Sequence, residues 1–224
     1  LGLADFIVKN STLNLVKHKI PKIKKIKENA KILVLREQGI GDEILYASMY
    51  PDLLEKFPNA KIECDERLIP LFKNSFNKKE NSRFVKLGYY SSKNNEVEKF
   101  DHIIFAGSLG KYFRKNLKSF PNKPFLKRLN NYKDIELEEI LKKSKGIKIG
   151  ISWKSFKNRY ASEKSLEIKD FINFLEIKNA TIFNLQYGNI EKELNDYLVK
   201  THHNILTLKN LDLFNNLVGL ANLL

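Results

Sequence analysis

Cysteine is almost absent from this chain: Cys64 stands alone among 224 residues. That excludes an internal disulfide and a cysteine-built metal cluster. Cys64 ends a strand-like run, Ala60–Cys64, and reads as a buried structural thiol rather than a nucleophile. No segment reaches the roughly 20 apolar residues that a membrane-spanning helix needs. Four histidines include no i, i+4 pair, and there is no acidic triad, so no metal site is expected. His102 lies in an alternating strand pattern and reads as structural, and His202 and His203 are neighbours that diverge on any regular element. Arginine is scarce, and aromatic and basic residues do not alternate, so no specific nucleic-acid partner is expected. The only methionine is Met49, and the chain does not begin with one. We read it as an internal piece of a longer protein, in which a signal peptide cannot be recognised.

What is present suits a packed core: 42% hydrophobic residues, with 15 Phe and 9 Tyr. The net charge is +14. Residues 1–29 carry seven lysines against Asp5 and Glu28, and Pro21 interrupts their helix-like apolar spacing. They read as a solvated basic leader or linker, with attraction to anionic membrane lipid or nucleic acid as the functional alternative.

From Lys31 the pattern alternates between short apolar runs and helical spacing. Strands are expected at Ile32–Arg36, Lys61–Cys64, Arg83–Leu87, Phe100–Phe105, Ile147–Trp153, Thr181–Leu185 and Asn204–Leu208. Helices are expected at Glu43–Phe57 (restarted at Pro51), Arg67–Phe76, Leu109–Leu117, Ile135–Lys143, Ile168–Leu175, Ile190–Val199 and Leu211–Leu224. Tyr89–Lys99 reads as a polar loop. This order predicts an α/β fold with parallel sheets, whose strand C-terminal ends share one edge. Phe120-Pro-Asn-Lys-Pro-Phe125 opposes continued helix and marks a boundary.

The most informative stretch is Ile32-Leu-Val-Leu-Arg-Glu-Gln-Gly-Ile-Gly-Asp-Glu-Ile-Leu45, in which a short apolar run ends in a glycine turn and a helix start. A phosphate-binding P-loop would end in Gly-Lys-Ser/Thr, and here Asp42 and Glu43 follow Gly41. A dinucleotide fingerprint would place a third glycine where Ile44 stands. From spacing alone two readings stay open. Asp42 either caps an ordinary βα turn or is a base held at the mouth of the sheet. Glu43 reads as a second helix-start carboxylate.

Glu37-Gln-Gly-Ile-Gly-Asp-Glu-Ile44 resembles the opening motif of family 9, heptosyltransferase-like glycosyltransferases, most of all the versions fused behind tetratricopeptide repeats. Phe100–Leu109, Pro124–Leu126, Ile147–Lys154, Lys164–Leu166 and Asn184–Gly188 resemble later segments of that family in the same order. The resemblance covers about Lys31 to Leu224. It implies a GT-B architecture of two Rossmann-like domains with parallel sheets. The expected divisions are a leader at 1–29, an acceptor-side domain at 30–123, a connection at 124–146 and a truncated donor-side domain at 147–224.

The implied activity is metal-independent, inverting transfer of a sugar from a nucleotide-activated donor to an acceptor hydroxyl. It needs no cofactor beyond the nucleotide sugar. The acceptor would be a glycan, a lipid-linked sugar or a protein. The expected location is cytoplasmic, with peripheral contact to the inner membrane. By the same resemblance Asp42 is the general base, with Gly39, Gly41 and Ser108 on the acceptor side. Lys164, Ser165, Gln186 and Gly188 are the donor-side candidates, with Lys154 and Arg159 weaker options. The competing expectation is an inactive, glycosyltransferase-like protein-interaction module.

Overall fold

A computed structural model describes residues 26–27, 29–76, 82–90, 94–156, 161–171 and 176–224. The chain divides into two compact units, Leu1–Leu129 and Asn130–Leu224. The leader reading falls almost wholly outside the described residues. Ile26, which the sequence assigns to that leader, is buried.

The first unit contains strands β1 (Ile32–Leu35), β2 (Lys61–Cys64), β3 (Phe84–Lys86) and β4 (His102–Phe105). They form one parallel sheet in the order β3-β2-β1-β4. All four residues of β1 are buried, as expected for a central strand covered on both faces. Leu33 and Leu35 pack with Val97, Phe100 and Ile103 in one cluster. Elsewhere Tyr50, Phe72, Phe76 and Phe84 form an aromatic group with ring centroids 5.1 to 6.2 Å apart. This group packs α2 (Tyr50–Lys56) and α3 (Ile69–Ser75) near β3. Pro51 and Pro70 lie in the first turns of those helices, where a missing N–H costs nothing.

Several elements differ from the sequence reading. The helix expected at Glu43–Phe57 does restart at Pro51, as α1 (Ile40–Ala47) and α2, but the first begins three residues early. The stretch Arg67–Phe76 opens with a 3-10 turn, Glu66–Leu68, before α3. The loop after β3 contains one helical turn, α4 (Asn94–Val97). The basic segment Leu109–Leu117 is broken into a 3-10 turn at Ala106–Leu109, α5 (Gly110–Phe113) and a second 3-10 turn at Leu117–Ser119.

In the second unit β5 (Ile147–Ile151), β6 (Ala180–Asn184) and β7 (Ile205–Thr207) form a parallel sheet in sequence order. Ile151, Trp153, Ile182, Leu194, Tyr197 and Ile205 form its core, with α7 (Glu191–Thr201) against it. The helix α6 (Ile135–Lys143) contributes Leu137 to a second cluster with Leu208 and Leu211. Expected helix Ile168–Leu175 is a 3-10 turn over Ile168–Phe171, and 172–175 lie outside the described residues. The expected helix Leu211–Leu224 shrinks to α8 (Leu217–Leu223). Asp212 accepts the N–H groups of Phe214 and Asn215, and Asn216 accepts that of Gly219. The Asp212 bonds offer the backbone a turn in place of helix, and Asn216 is the N-cap at which α8 starts.

Candidate functional site

The strand order makes the position of the site. The chain runs from β1 outward to β2 and β3, then returns to place β4 on the other side of β1. The gap between the ends of β1 and β4 is therefore a topological switch point, where parallel α/β sheets leave a crevice for ligands. Two segments border it: the turn Arg36–Gly39 leading into α1, and the turn Ala106–Leu109. These elements pack against one another.

The sequence reading gives the tight turn to its glycines, but the left-handed residue is Gln38, with φ 63°. A non-glycine residue there is under backbone strain and needs support. Arg36 supplies it, donating to the Gln38 carbonyl at 3.1 Å. The same guanidinium meets Glu43 at 2.6 Å and Asp65 at 3.2 Å. Glu43 is 1% exposed and also accepts the Asp65 N–H at 2.9 Å. It is thus a buried anchor under the turn, where the sequence reading had only a helix-start carboxylate. Burial raises its pKa, outweighing the Asp65 N–H and Arg36, which lower it. Asp65 is held down at about 2, chiefly by its hydrogen bonds from the Arg67 side chain.

Gly39 is the N-cap of α1, and Asp42 sits in the first turn. Asp42 Oδ2 accepts the Gly39 N–H at 3.0 Å. Among the described residues that is the carboxylate's one hydrogen bond, which leaves a second oxygen free. The capping role is therefore real, and it does not use up the group. Gly41 is exposed, and a Cβ there would meet nothing within 4 Å. The fold itself does not require glycine at that point.

Two residues beside Asp42 escaped the sequence reading. Glu37 Oε2 accepts the Gly107 N–H at 2.8 Å, tying the β1 turn to the β4 turn. A Cβ on Gly107 would lie 2.9 Å from that oxygen and 3.1 Å from the Tyr46 ring. Tyr46 is one helical turn beyond Asp42, the i, i+4 spacing that places both on one face. Burial, then the Asp42 and Glu37 charges, raise its pKa and keep the phenol protonated. Ser108 lies in the β4 turn, half-buried, and its hydroxyl makes no hydrogen bond to another described residue. Glu37, Asp42 and Tyr46 thus bring two carboxylates and a phenol together beside the turn that carries Ser108. Cys64 is buried at the end of β2, and burial pushes its thiol up to about 12.

In the second unit the expected donor residues have other work. Gln186 is buried, and its Oε1 accepts from Ser152 Oγ, Trp153 N and Lys154 N. Its Nε2 donates to the carbonyls of Lys154 and Tyr187. With both ends saturated, Gln186 clamps the loop after β5 and has nothing left for a donor. Ser165 donates to Ala161 O at 2.6 Å and accepts from Ser155 N at 3.1 Å, stitching the same loop. Lys154 pairs with Glu193, which also accepts from Trp153 Nε1. Gly188 has φ 91°, and a Cβ there would strike the Phe156 ring at 2.5 Å, so its glycine is structural. Lys164 is exposed, and Arg159 lies outside the described residues. His202 closes α7 in the left-handed conformation, and His203 Nδ1 meets the Tyr197 hydroxyl at 2.8 Å. Among the described residues no group of three or more His, Cys, Asp or Glu is placed to hold a metal ion. No helix among them is long and apolar enough to cross a membrane.

The chain is similar to Protein FlbA of Caulobacter vibrioides, with 27% identity over 181 residues. That match takes in 73% of this chain and 29% of FlbA, so it spans less than a third of the relative's length. No family model matches the chain. No solved structure matches it.

Proposed function

We propose that this chain belongs to a glycosyltransferase that moves a sugar from a nucleotide-activated donor to an acceptor hydroxyl. Asp42 acts as general base. The two units are the acceptor-side and donor-side halves of a GT-B-like enzyme. The observation that carries this reading is Asp42 in the first turn of α1 at the β1/β4 switch point, with one carboxylate oxygen free. A base must reach the hydroxyl it deprotonates, and a strand-end crevice offers that access. Glu37 and Tyr46 then border the acceptor, as an acceptor and a donor of hydrogen bonds. The negative mouth of this crevice disfavours a pyrophosphate, which agrees with donor binding on the other unit.

A second reading has its own support. Gln186, Ser165 and Lys154 are bound to neighbouring groups of their own unit, so few polar groups remain for a nucleotide. That favours a glycosyltransferase-like interaction module without activity. Calorimetric titration of the full-length protein with a panel of nucleotide sugars separates the two. Saturable binding of one donor supports the enzyme. No binding by any donor, with binding partners still captured by the folded protein, supports the module.

A further inference from the structure

From His102 to Leu129 the first unit contains no Asp or Glu, against seven Lys or Arg. The middle of this stretch is open. Lys111, Lys115, Lys118 and Lys123 are exposed, and none forms an ion pair with a described residue. Between them Leu117, in the 3-10 turn Leu117–Ser119, is 89% exposed, and Phe120 is 49% exposed. Exposed apolar residues of this kind within a run of exposed lysines are unusual for a surface that faces only water. The segment is held in place. Arg114 pairs with Asp52 at 2.9 Å, donates to the Ser48 carbonyl, and lies 5.8 Å from the Phe120 ring centroid. The Asn116 carbonyl accepts the Ser119 hydroxyl at 2.6 Å.

We infer that residues 111–123 form a docking surface for an anionic lipid bilayer, with Leu117 and Phe120 entering the headgroup region and the lysines meeting lipid phosphates. The proposal is independent of the glycosyltransferase reading. Lysines on flexible stems suit a fluid layer of charge, and apolar tips gain by leaving water. Nucleic acid fits less well. The one guanidinium within 111–123, Arg114, is already committed to Asp52 and Ser48, and Leu117 offers no stacking face.

Vesicle flotation tests this with the full chain. The vesicles are phosphatidylcholine alone or mixed with phosphatidylglycerol. Binding is expected to the mixed vesicles only and to weaken with added salt. Lys115→Glu/Lys118→Glu should reduce partitioning by about 100-fold or more, given the contribution of each basic residue near a charged surface. Leu117→Ser leaves the charge unchanged and should still lower it several-fold. Neutralising the leader (Lys22, Lys24, Lys25 and Lys27 to Gln) should leave most of the binding in place. Failure of the wild-type chain to float would overturn the proposal. So would loss on leader neutralisation with Leu117→Ser unaffected, which would leave only diffuse charge. Duplex DNA binding that falls with the lysine pair, without any flotation, would assign the patch to nucleic acid instead. Circular dichroism of each variant confirms that the unit is folded.

Discussion

The two units make opposite use of the polar groups at their strand ends. In the second, Gln186 bonds to Lys154, Lys154 to Glu193, and Ser165 to Ser155 and Ala161, all around the loop after β5. In the first, the bonded network lies beneath the edge, in Arg36, Glu43, Asp65 and Arg67. Above it Asp42, Glu37, Tyr46 and Ser108 keep capacity for a ligand. The lesson is that a free group at a site needs a bound group behind it. Arg36 and Glu43 hold the strained Gln38 turn so that Asp42 can stay only half engaged.

The largest effect expected from breaking this contrast is in the buried pair. Arg36→Met leaves Glu43 buried without its cation, a change that costs about 3–5 kcal/mol in comparable pairs. Replacing both, as Arg36→Met/Glu43→Leu, should recover the part of that loss due to the unpaired charge, but not the bonds that Arg36 gives Gln38 and Glu43 accepts from Asp65. Urea denaturation reads both values. A double variant as unstable as the single one would mean that the loss comes from the bonds to Gln38 and Asp65 and not from an unpaired Glu43 charge.

Next comes Gln186→Ala. It strips three donors of their acceptor and should lower stability by about 1–3 kcal/mol. Asp42→Asn loses part of one capping interaction, and should stay within about 1 kcal/mol of the wild type. Thermal melts that reversed this order would assign the structural role to Asp42 and the open role to Gln186.

Acid sharpens the comparison within the first unit. Glu43 has a folded pKa above its usual 4.5, so its burial penalises folding at neutral pH. That penalty fades as pH falls through the folded value toward 4.5. Asp65 has the opposite sign. Its folded value of about 2 lies below 3.8, so its contribution is full above 3.8 and is lost as pH falls toward 2. Stability of this unit should therefore gain from Glu43 on mild acidification and lose from Asp65 below about pH 4. Glu43→Gln should flatten the first limb and Asp65→Asn the second, read as unfolding midpoints against pH. An unchanged profile in both variants would contradict the assignment.

The smallest effect separates the glycines. Gly41→Ala meets open space and should stabilise α1 by about 0.5–1 kcal/mol. Gly107→Ala presses on Glu37 and Tyr46 and should destabilise. If Gly41→Ala also weakens ligand binding, the space above it belongs to the ligand.

Much of the fold was legible in sequence because it rests on local pattern. Lys61–Cys64 and Ile135–Lys143 have the same bounds in the sequence reading and in the structure. The second is fixed by Asp134, whose side chain accepts the Leu137 N–H. The same reasoning overran at residues 211–216, where apolar residues at helical spacing hid the backbone bonds of Asp212 and Asn216. The site was legible only as far as Asp42 and its turn. Glu43 reads in sequence as a helix-start carboxylate because its partners, Arg36 and Asp65, come from the end of β1 and from the loop after β2. Glu37 gained its meaning from Gly107, 70 residues away. Gln186 was found as a strand-end amide, but its saturation depends on the loop after β5, which no local pattern shows.

The central claim is that Asp42 is a base at an open crevice and not merely a cap. The most direct measurement is nucleoside diphosphate release by the full-length protein from the donor it binds, compared with Asp42→Asn at equal folded fraction. The account predicts a loss of about 10²–10⁴-fold, as for a general base, with donor affinity nearly unchanged. Release by the variant close to wild type, under conditions where chemistry limits the rate, would contradict it.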